Sequence, residues 1–103
     1  MRLIWADQAI ESVDSTADYI ENLFGTERCL QFYEEVQRQA DLLEKHPELG
    51  PVDDDLKGGR YDYRSLGINE LSRLIYRIDG DTIRVLYLWN TRKDPLRLSK
   101  MFL

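Results

Sequence analysis

The chain has 103 residues, of which 43% are hydrophobic and 32% charged, and its net charge is −5. This composition is typical of a folded globular domain and excludes a disordered tail, and the longest apolar runs fall far short of the roughly 20 residues needed to cross a bilayer. A single cysteine, Cys29, excludes an internal disulfide. We expect one cytoplasmic domain spanning residues 1–103, with no membrane segment, metal or cofactor.

Two amphipathic helices are predicted in the first half of the chain, after a short β-prone segment at residues 2–5. Apolar residues recur at steps of three or four through residues 8–24, and Asp7 is positioned to cap the start of this helix. Gly25 ends it, and the same spacing then predicts a second helix over residues 26–46. A connection of one or two residues between such helices implies an antiparallel hairpin.

An acidic loop and a sheet are predicted after the second helix. Residues 47–55 contain Pro, Gly and the successive aspartates Asp53, Asp54 and Asp55, which we expect to form a solvated turn and not a metal site. Residues 60–65, 71–78 and 82–89 then have the composition of strands.

The last two strands should form a tight hairpin, because Gly80 tolerates the positive φ that such turns require. Residues 90–103 are expected to form a short helix or an extended tail. The predicted fold class is α+β: an N-terminal strand and a two-helix hairpin packed on one face of a twisted antiparallel sheet of three to four strands.

The two halves of the chain carry opposite charge. Residues 1–55 contain 4 Lys/Arg and 14 Asp/Glu (4 − 14 = −10), whereas residues 56–103 contain 10 and 5 (10 − 5 = +5). The strand region interleaves arginines with aromatic residues, a combination that binds phosphates and stacks on bases in nucleic-acid-binding proteins. The same alternation also occurs in any half-exposed antiparallel sheet, so both interpretations stay open.

Two further side chains have simpler structural interpretations. Cys29 lies on the apolar face of the second predicted helix, which favours a buried structural thiol. His46 comes at the end of that helix beside Pro47, where a histidine more often contacts free carbonyl groups than performs catalysis.

The order of these elements resembles the RelE/ParE superfamily of toxins from type II toxin–antitoxin modules, over nearly the whole chain. Each matching segment is short, and the resemblance depends on their order and spacing. The segments are 5–9, 18–20, 43 with 46–50, 73–78, 83–86 and 90–95.

The resemblance implies a cognate antitoxin that covers the arginine-rich face of the sheet or an exposed sheet edge, and a target that differs between branches. RelE-like members cut messenger RNA on the ribosome. In that case Arg60, Arg73 and Arg92 would hold the catalytic positions. The residues expected to bind substrate or target are Arg64, Arg77 and Lys93.

ParE-like members inhibit DNA gyrase, and two features of the chain favour this branch. Both predicted helices are long, and the run Pro47-Glu48-Leu49-Gly50 follows the second helix. The sequence also departs from the nuclease pattern: Leu98 stands near the usual C-terminal tyrosine, Asp62 replaces a lysine, and the sheet has no histidine. An arginine is a poor general base at neutral pH. We therefore favour gyrase inhibition, with an mRNA endonuclease or an inactive antitoxin-binding fold as alternatives.

Overall fold

The structure, a computed structural model, describes residues 1–90. The predicted tail and the candidate site residues Arg92 and Lys93 lie outside this range. The elements, in chain order, are β1 (Arg2–Trp5), α1 (Asp7–Phe24), α2 (Thr26–Lys45), a 3₁₀ turn (Asp54–Leu56), β2 (Arg64–Asn69), β3 (Ser72–Asp79) and β4 (Thr82–Asn90). The predicted combination of an N-terminal strand, a helical hairpin and a sheet is confirmed.

The helical hairpin turns at Gly25, as the sequence predicts. Gly25 has a φ of +94°, a conformation that costs residues with a Cβ atom free energy, and its N–H donates to the carbonyl of Glu21 at 2.9 Å. The prediction that Asp7 caps α1 is wrong, because Ala6 occupies the capping position and Asp7 is the first helical residue. The negative charge of Asp7 is still stabilising at the N-terminus of α1, which is the positive end of the helix dipole. Across residues 1–90, no helix is both long and apolar enough to cross a membrane.

The four strands form a mixed sheet in the order β1-β4-β3-β2. β2, β3 and β4 pair antiparallel, as predicted, whereas β1 pairs with the edge of β4 in parallel. In the sequence, α1 and α2 separate β1 from the other three strands. Parallel strands need a long connection of this kind, so β1 can run in the same direction as β4. Local alternation of side chains carries no information about this pairing.

The first sheet strand after the loop begins later in the chain than predicted and extends to Asn69. β2 begins at Arg64, and residues 60–63 are not strand. The chain instead folds back here, because the N–H of Asp53 donates to the carbonyl of Tyr63 at 2.8 Å and that of Ser65 donates to the carbonyl of Pro51 at 3.1 Å. Residues 51–63 therefore lie beside the sheet as an ordered loop.

Both faces of the sheet bury apolar side chains. The larger cluster lies between the sheet and the helices and includes Ala9, Val13, Phe32, Val36, Leu43, Leu74, Tyr76, Ile83, Val85 and Leu88. Cys29 belongs to it, which confirms the prediction of a buried thiol, and burial together with the nearby Glu21 raises its pKa. A second cluster lies on the opposite face and consists of Leu56, Tyr63, Ile75 and Trp89.

A β-bulge in β4 changes which residues face the helices. The register between β3 and β4 shifts between Ile75 and Tyr76, where β4 has one extra residue, Leu86. Val85 packs in the helix-side cluster before the bulge, and Leu88 does so after it. Side chains separated by three positions therefore share a face at this point, in contrast to the two-residue period of a regular strand.

Helix α1 is fastened to β4 by one buried hydroxyl group. Ser12 Oγ donates to the carbonyl of Ala9 at 2.8 Å and accepts from the N–H of Leu88 at 2.9 Å. β1 pairs only with residues 82–85, so this serine supplies an acceptor to a backbone group of β4 beyond the end of β1.

Candidate functional site

The face of the sheet away from the helices, here called the outer face, carries the arginines of β3 and β4. Leu74 and Tyr76 of β3 point toward the helices. Since successive strand residues alternate between faces, Arg73 and Arg77 point the other way. Arg84 of β4 is paired in register with Arg77 and shares its face. These three arginines, with the loop that packs against them, form the candidate site.

Arg73 is held by two aspartates of the preceding loop. Its Nη2 donates to Asp55 Oδ2 at 2.9 Å, and its Nε lies 3.2 Å from Asp53 Oδ2. The second pair is close enough for strong attraction but is not aligned as a hydrogen bond. The side chain of Asp53 is only 4% exposed and that of Arg73 is 23% exposed. The prediction that all three aspartates are solvated is therefore wrong for Asp53.

Arg77 and Arg84 share a single carboxylate at the end of β3. Asp79 Oδ2 accepts from Arg77 Nε at 3.0 Å and from Arg84 Nε at 2.9 Å. Burial disfavours the charge of Arg77, but the hydrogen bond and the charge of Asp79 outweigh this effect and raise its pKa. The guanidinium of Arg77 also lies 3.9 Å from the ring centroid of Tyr61, a cation–π contact that fixes its position.

The remaining candidate arginines are not placed together with Arg73. Arg60 is exposed in the loop, with its guanidinium carbon 5.6 Å from the ring centroid of Tyr61. Arg64 is paired in register with Tyr76 and thus lies on the helix-facing side, where its Nη1 donates to the carbonyl of Gly50 at 2.9 Å. Arg60 therefore lies beside Tyr61, the ring that Arg77 also contacts, and Arg64 lies on the opposite face of the sheet.

Sequence reasoning missed five participants in this site: Arg84, the acceptors Asp53, Asp55 and Asp79, and Tyr61 as the ring beneath Arg77. The aspartates precede or follow the arginines by 2 to 20 positions, so no periodicity links them. The one available signal was the excess of acid in residues 53–55 directly before an arginine-rich segment, which permits ion pairing between the two.

The outer face carries guanidinium groups paired with carboxylates, and its described residues offer limited means of proton transfer. An arginine stays protonated and acts as an electrostatic group, not as a general base. The chain's one histidine, His46, lines a separate cleft of about 560 Å³ at the C-terminal end of α2, and none of the predicted site residues lines that cleft. Among residues 1–90, no three side chains of His, Cys, Asp or Glu come together as metal ligands.

A comparison with protein-family models gives the class of the protein. The model described as the ParE toxin of a type II toxin–antitoxin system, parDE, matches residues 3–95. The protein is thus the toxin component of a type II toxin–antitoxin module. It belongs to the ParE toxin family, and the resemblance to the RelE/ParE superfamily is confirmed. No curated protein sequence matches the chain.

Solved structures share the fold at low sequence identity. A chain of the chromosomal ParDE system from P. aeruginosa is similar with a TM-score of 0.72 and 21% identity, covering 87% of this chain and 95% of that one. A YoeB/ParE toxin from Agrobacterium tumefaciens gives 0.61 and 19%, covering 87% and 98%. A chain of the YoeB–YefM complex from Staphylococcus aureus gives 0.54 and 17%, covering 86% and 94%.

Proposed function

We propose that this toxin, when free of a cognate antitoxin in the cytoplasm, inhibits DNA gyrase by binding it and does not cleave messenger RNA. The supporting observation is the state of the arginines on the outer face. Arg73, Arg77 and Arg84 each contact an aspartate of the same chain. Cleavage of RNA by such a face would need guanidinium groups directed at the phosphate whose charge grows in the transition state.

The helices give independent support to the gyrase-type target. α1 has 18 residues and α2 has 20, the lengths for which the ParE branch was favoured on sequence grounds. Inhibition by binding needs a shaped surface and no proton-transfer group, and the described part of the outer face fits this requirement. Buried aromatic and apolar side chains there, including Trp89, give it a rigid base.

The antitoxin is proposed to cover the same outer face. An acidic or amphipathic segment that is disordered alone and folds on binding can pair with partly exposed guanidinium groups such as that of Arg84. The YoeB–YefM complex from Staphylococcus aureus is a solved toxin–antitoxin complex that contains a chain with this fold, which supports a protein partner for this chain.

The experiment is to purify the full-length toxin away from its antitoxin and to assay two activities on one preparation. One assay measures supercoiling by gyrase, and the other maps messenger-RNA ends in a ribosome-containing translation mixture. Loss of supercoiling with intact messages is the expected result. New cleavage at ribosome-bound codons with normal supercoiling would overturn the proposal and restore Arg60, Arg73 and Arg92 as catalytic candidates. The absence of both effects, in toxin that binds its antitoxin, would indicate an inactive fold.

A further inference from the structure

We propose that Asp53 and Asp55 act as an internal counter-anion that keeps RNA off the outer face by occupying Arg73. The inference builds on the proposed function, since it explains why an arginine-rich sheet would not bind messenger RNA. It assigns a specificity-determining role to a loop that the composition alone presents as a solvated acidic turn.

The two carboxylates approach different nitrogens of the same guanidinium. Asp53 lies against Nε and Asp55 accepts from Nη2. A phosphate bound to arginine in the bidentate manner uses two such nitrogens at once. RNA could therefore contact Arg73 in this way only by displacing the loop, and the displaced carboxylates would repel its phosphates.

The loop is built to stay in place. The backbone of Asp53 donates to the carbonyl of Tyr63 at 2.8 Å and accepts from the N–H of Leu56 at 3.1 Å. Its Oδ1 accepts from the N–H of Asp55 at 2.9 Å, which orients the carboxylate. Leu56 is buried against Ile75 in the outer-face cluster and anchors the loop from its far side. Such pre-organisation reduces the entropy lost on pairing and distinguishes this contact from a mobile surface ion pair.

The charge balance of the outer face leads to the same conclusion. Its three arginines, Arg73, Arg77 and Arg84, contact three aspartates, Asp53, Asp55 and Asp79. Non-specific affinity for nucleic acid depends on the number of phosphates that uncompensated basic groups neutralise. Two carboxylates contact Arg73, and Arg77 and Arg84 share the third, so the charges of these six groups sum to zero. This balance weakens the driving force, although the second half of the chain is basic overall.

The test measures binding of a fluorescent 12-nucleotide single-stranded RNA to the full-length, antitoxin-free protein as a function of salt. Asp55→Asn removes one carboxylate from Arg73, and the double variant with Asp53→Asn removes both. We expect Asp55→Asn to raise the affinity about fivefold at 50 mM salt and to steepen the log–log salt dependence by roughly 0.7, the increment for one more phosphate contact on a single strand.

Asp54→Asn is the matched control. It makes the same charge change in the same loop, but Asp54 is 84% exposed and pairs with Lys57, which is itself 65% exposed and already accessible to RNA. This control should change the affinity less than about twofold. Adding Arg73→Gln to Asp55→Asn should cancel the gain, because the released guanidinium is then absent.

The proposal is overturned if Asp55→Asn gains no more affinity than Asp54→Asn, or if its gain persists without Arg73. Asp55 is partly exposed, so Asp55→Asn carries the test even if the buried Asp53→Asn variant fails to fold. Gyrase inhibition by the unmodified toxin is scored separately. A failure of the counter-anion proposal and a failure of the proposed target therefore give different results.

Discussion

The hydroxyl group of Tyr76 is bound to the backbone of Gly50. It accepts from the Gly50 N–H at 2.9 Å and donates to the carbonyl of Pro47 at 2.8 Å. Tyr76 is fully buried in β3, and its burial is the main cause of a raised pKa. The contact ties the segment that leaves α2 to the centre of the sheet.

We predict that Gly50→Ala destabilises the toxin by about 2–4 kcal/mol, because an added Cβ atom would collide with the backbone carbonyl of Ser65. Tyr76→Phe should cost about 1–2 kcal/mol, since it leaves the Gly50 N–H and the Pro47 carbonyl without this partner. Urea unfolding of the purified variants measures both values. Gly67→Ala is the control, because open space surrounds that position, and a loss there equal to that of Gly50→Ala would contradict the steric argument.

Ser12→Ala should lower the free energy of unfolding by about 1–2 kcal/mol, since it leaves the buried N–H of Leu88 without its acceptor. Ser15→Ala, one turn further along the exposed side of α1, should change it by less than about 0.5 kcal/mol. Hydrogen exchange at the Leu88 amide gives a local readout. Unchanged protection of that amide in Ser12→Ala would show that the serine does not secure this edge of β4.

Arg73→Ala should destabilise the protein by about 2–4 kcal/mol, because it leaves the carboxylate of Asp53 buried without its counter-charge. Arg84→Ala is the comparison. Arg84 is 45% exposed, and Asp79 retains Arg77 after its loss, so we expect a cost below about 1 kcal/mol.

Thermal unfolding curves distinguish the two arginine variants. Because Arg73→Ala is expected to be less stable, any activity measured for this variant must be corrected for the fraction of folded protein. Equal stability of both variants would show that Asp53 tolerates the loss of Arg73.

Glu35 should contribute stability that depends on pH. The hydrogen bond from Arg38, followed by that from Gln39, lowers its pKa from 4.5 to about 2. Since the folded pKa is the lower one, the contribution is complete above pH 4.5 and is lost as the pH falls toward 2. The pair is on the surface, so the contribution at pH 6 should stay below about 1 kcal/mol.

The measurement compares the unfolding free energy of the unmodified protein with that of Glu35→Gln between pH 2 and 7. The difference should shrink toward zero at the acidic end. Glu34→Gln, at an exposed neighbouring position of α2, is the control. A difference for Glu35→Gln that is the same at pH 6 and near pH 2 would contradict the assigned cause.

The helices and the last hairpin could be predicted from local patterns, because the features that form them lie close together in the sequence. The apolar spacing of α1 and α2, the positive φ of Gly25 and the turn at Gly80, whose φ is +59°, depend on residues within a few positions. The order of these predicted elements was in turn the basis of the superfamily resemblance. These parts of the fold were therefore accessible from sequence alone.

The ion pairs of the candidate arginines, and the face of the sheet on which each one lies, could not be predicted from local patterns. Arg73 was named as a candidate from the family resemblance, but its charge is compensated by Asp53. That aspartate lies 20 positions earlier and reaches Arg73 because the loop folds back along β2. Arg64 fits the alternation of strand residues, but it pairs with Tyr76 and therefore lies on the helix-facing side of the sheet. Both facts depend on long-range pairing, which composition and period do not encode.

The extra residue at Leu86 has a consequence for the surface that a partner meets. With a regular two-residue alternation continued from Val85, Tyr87 and Trp89 would point into the helix-side core and Leu88 would point outward. The bulge reverses this assignment, and Trp89 instead joins Leu56 and Tyr63 beneath the arginines. The aromatic character of the toxin's outer surface is thus set by the bulge in β4 as well as by the identity of the residues in this strand.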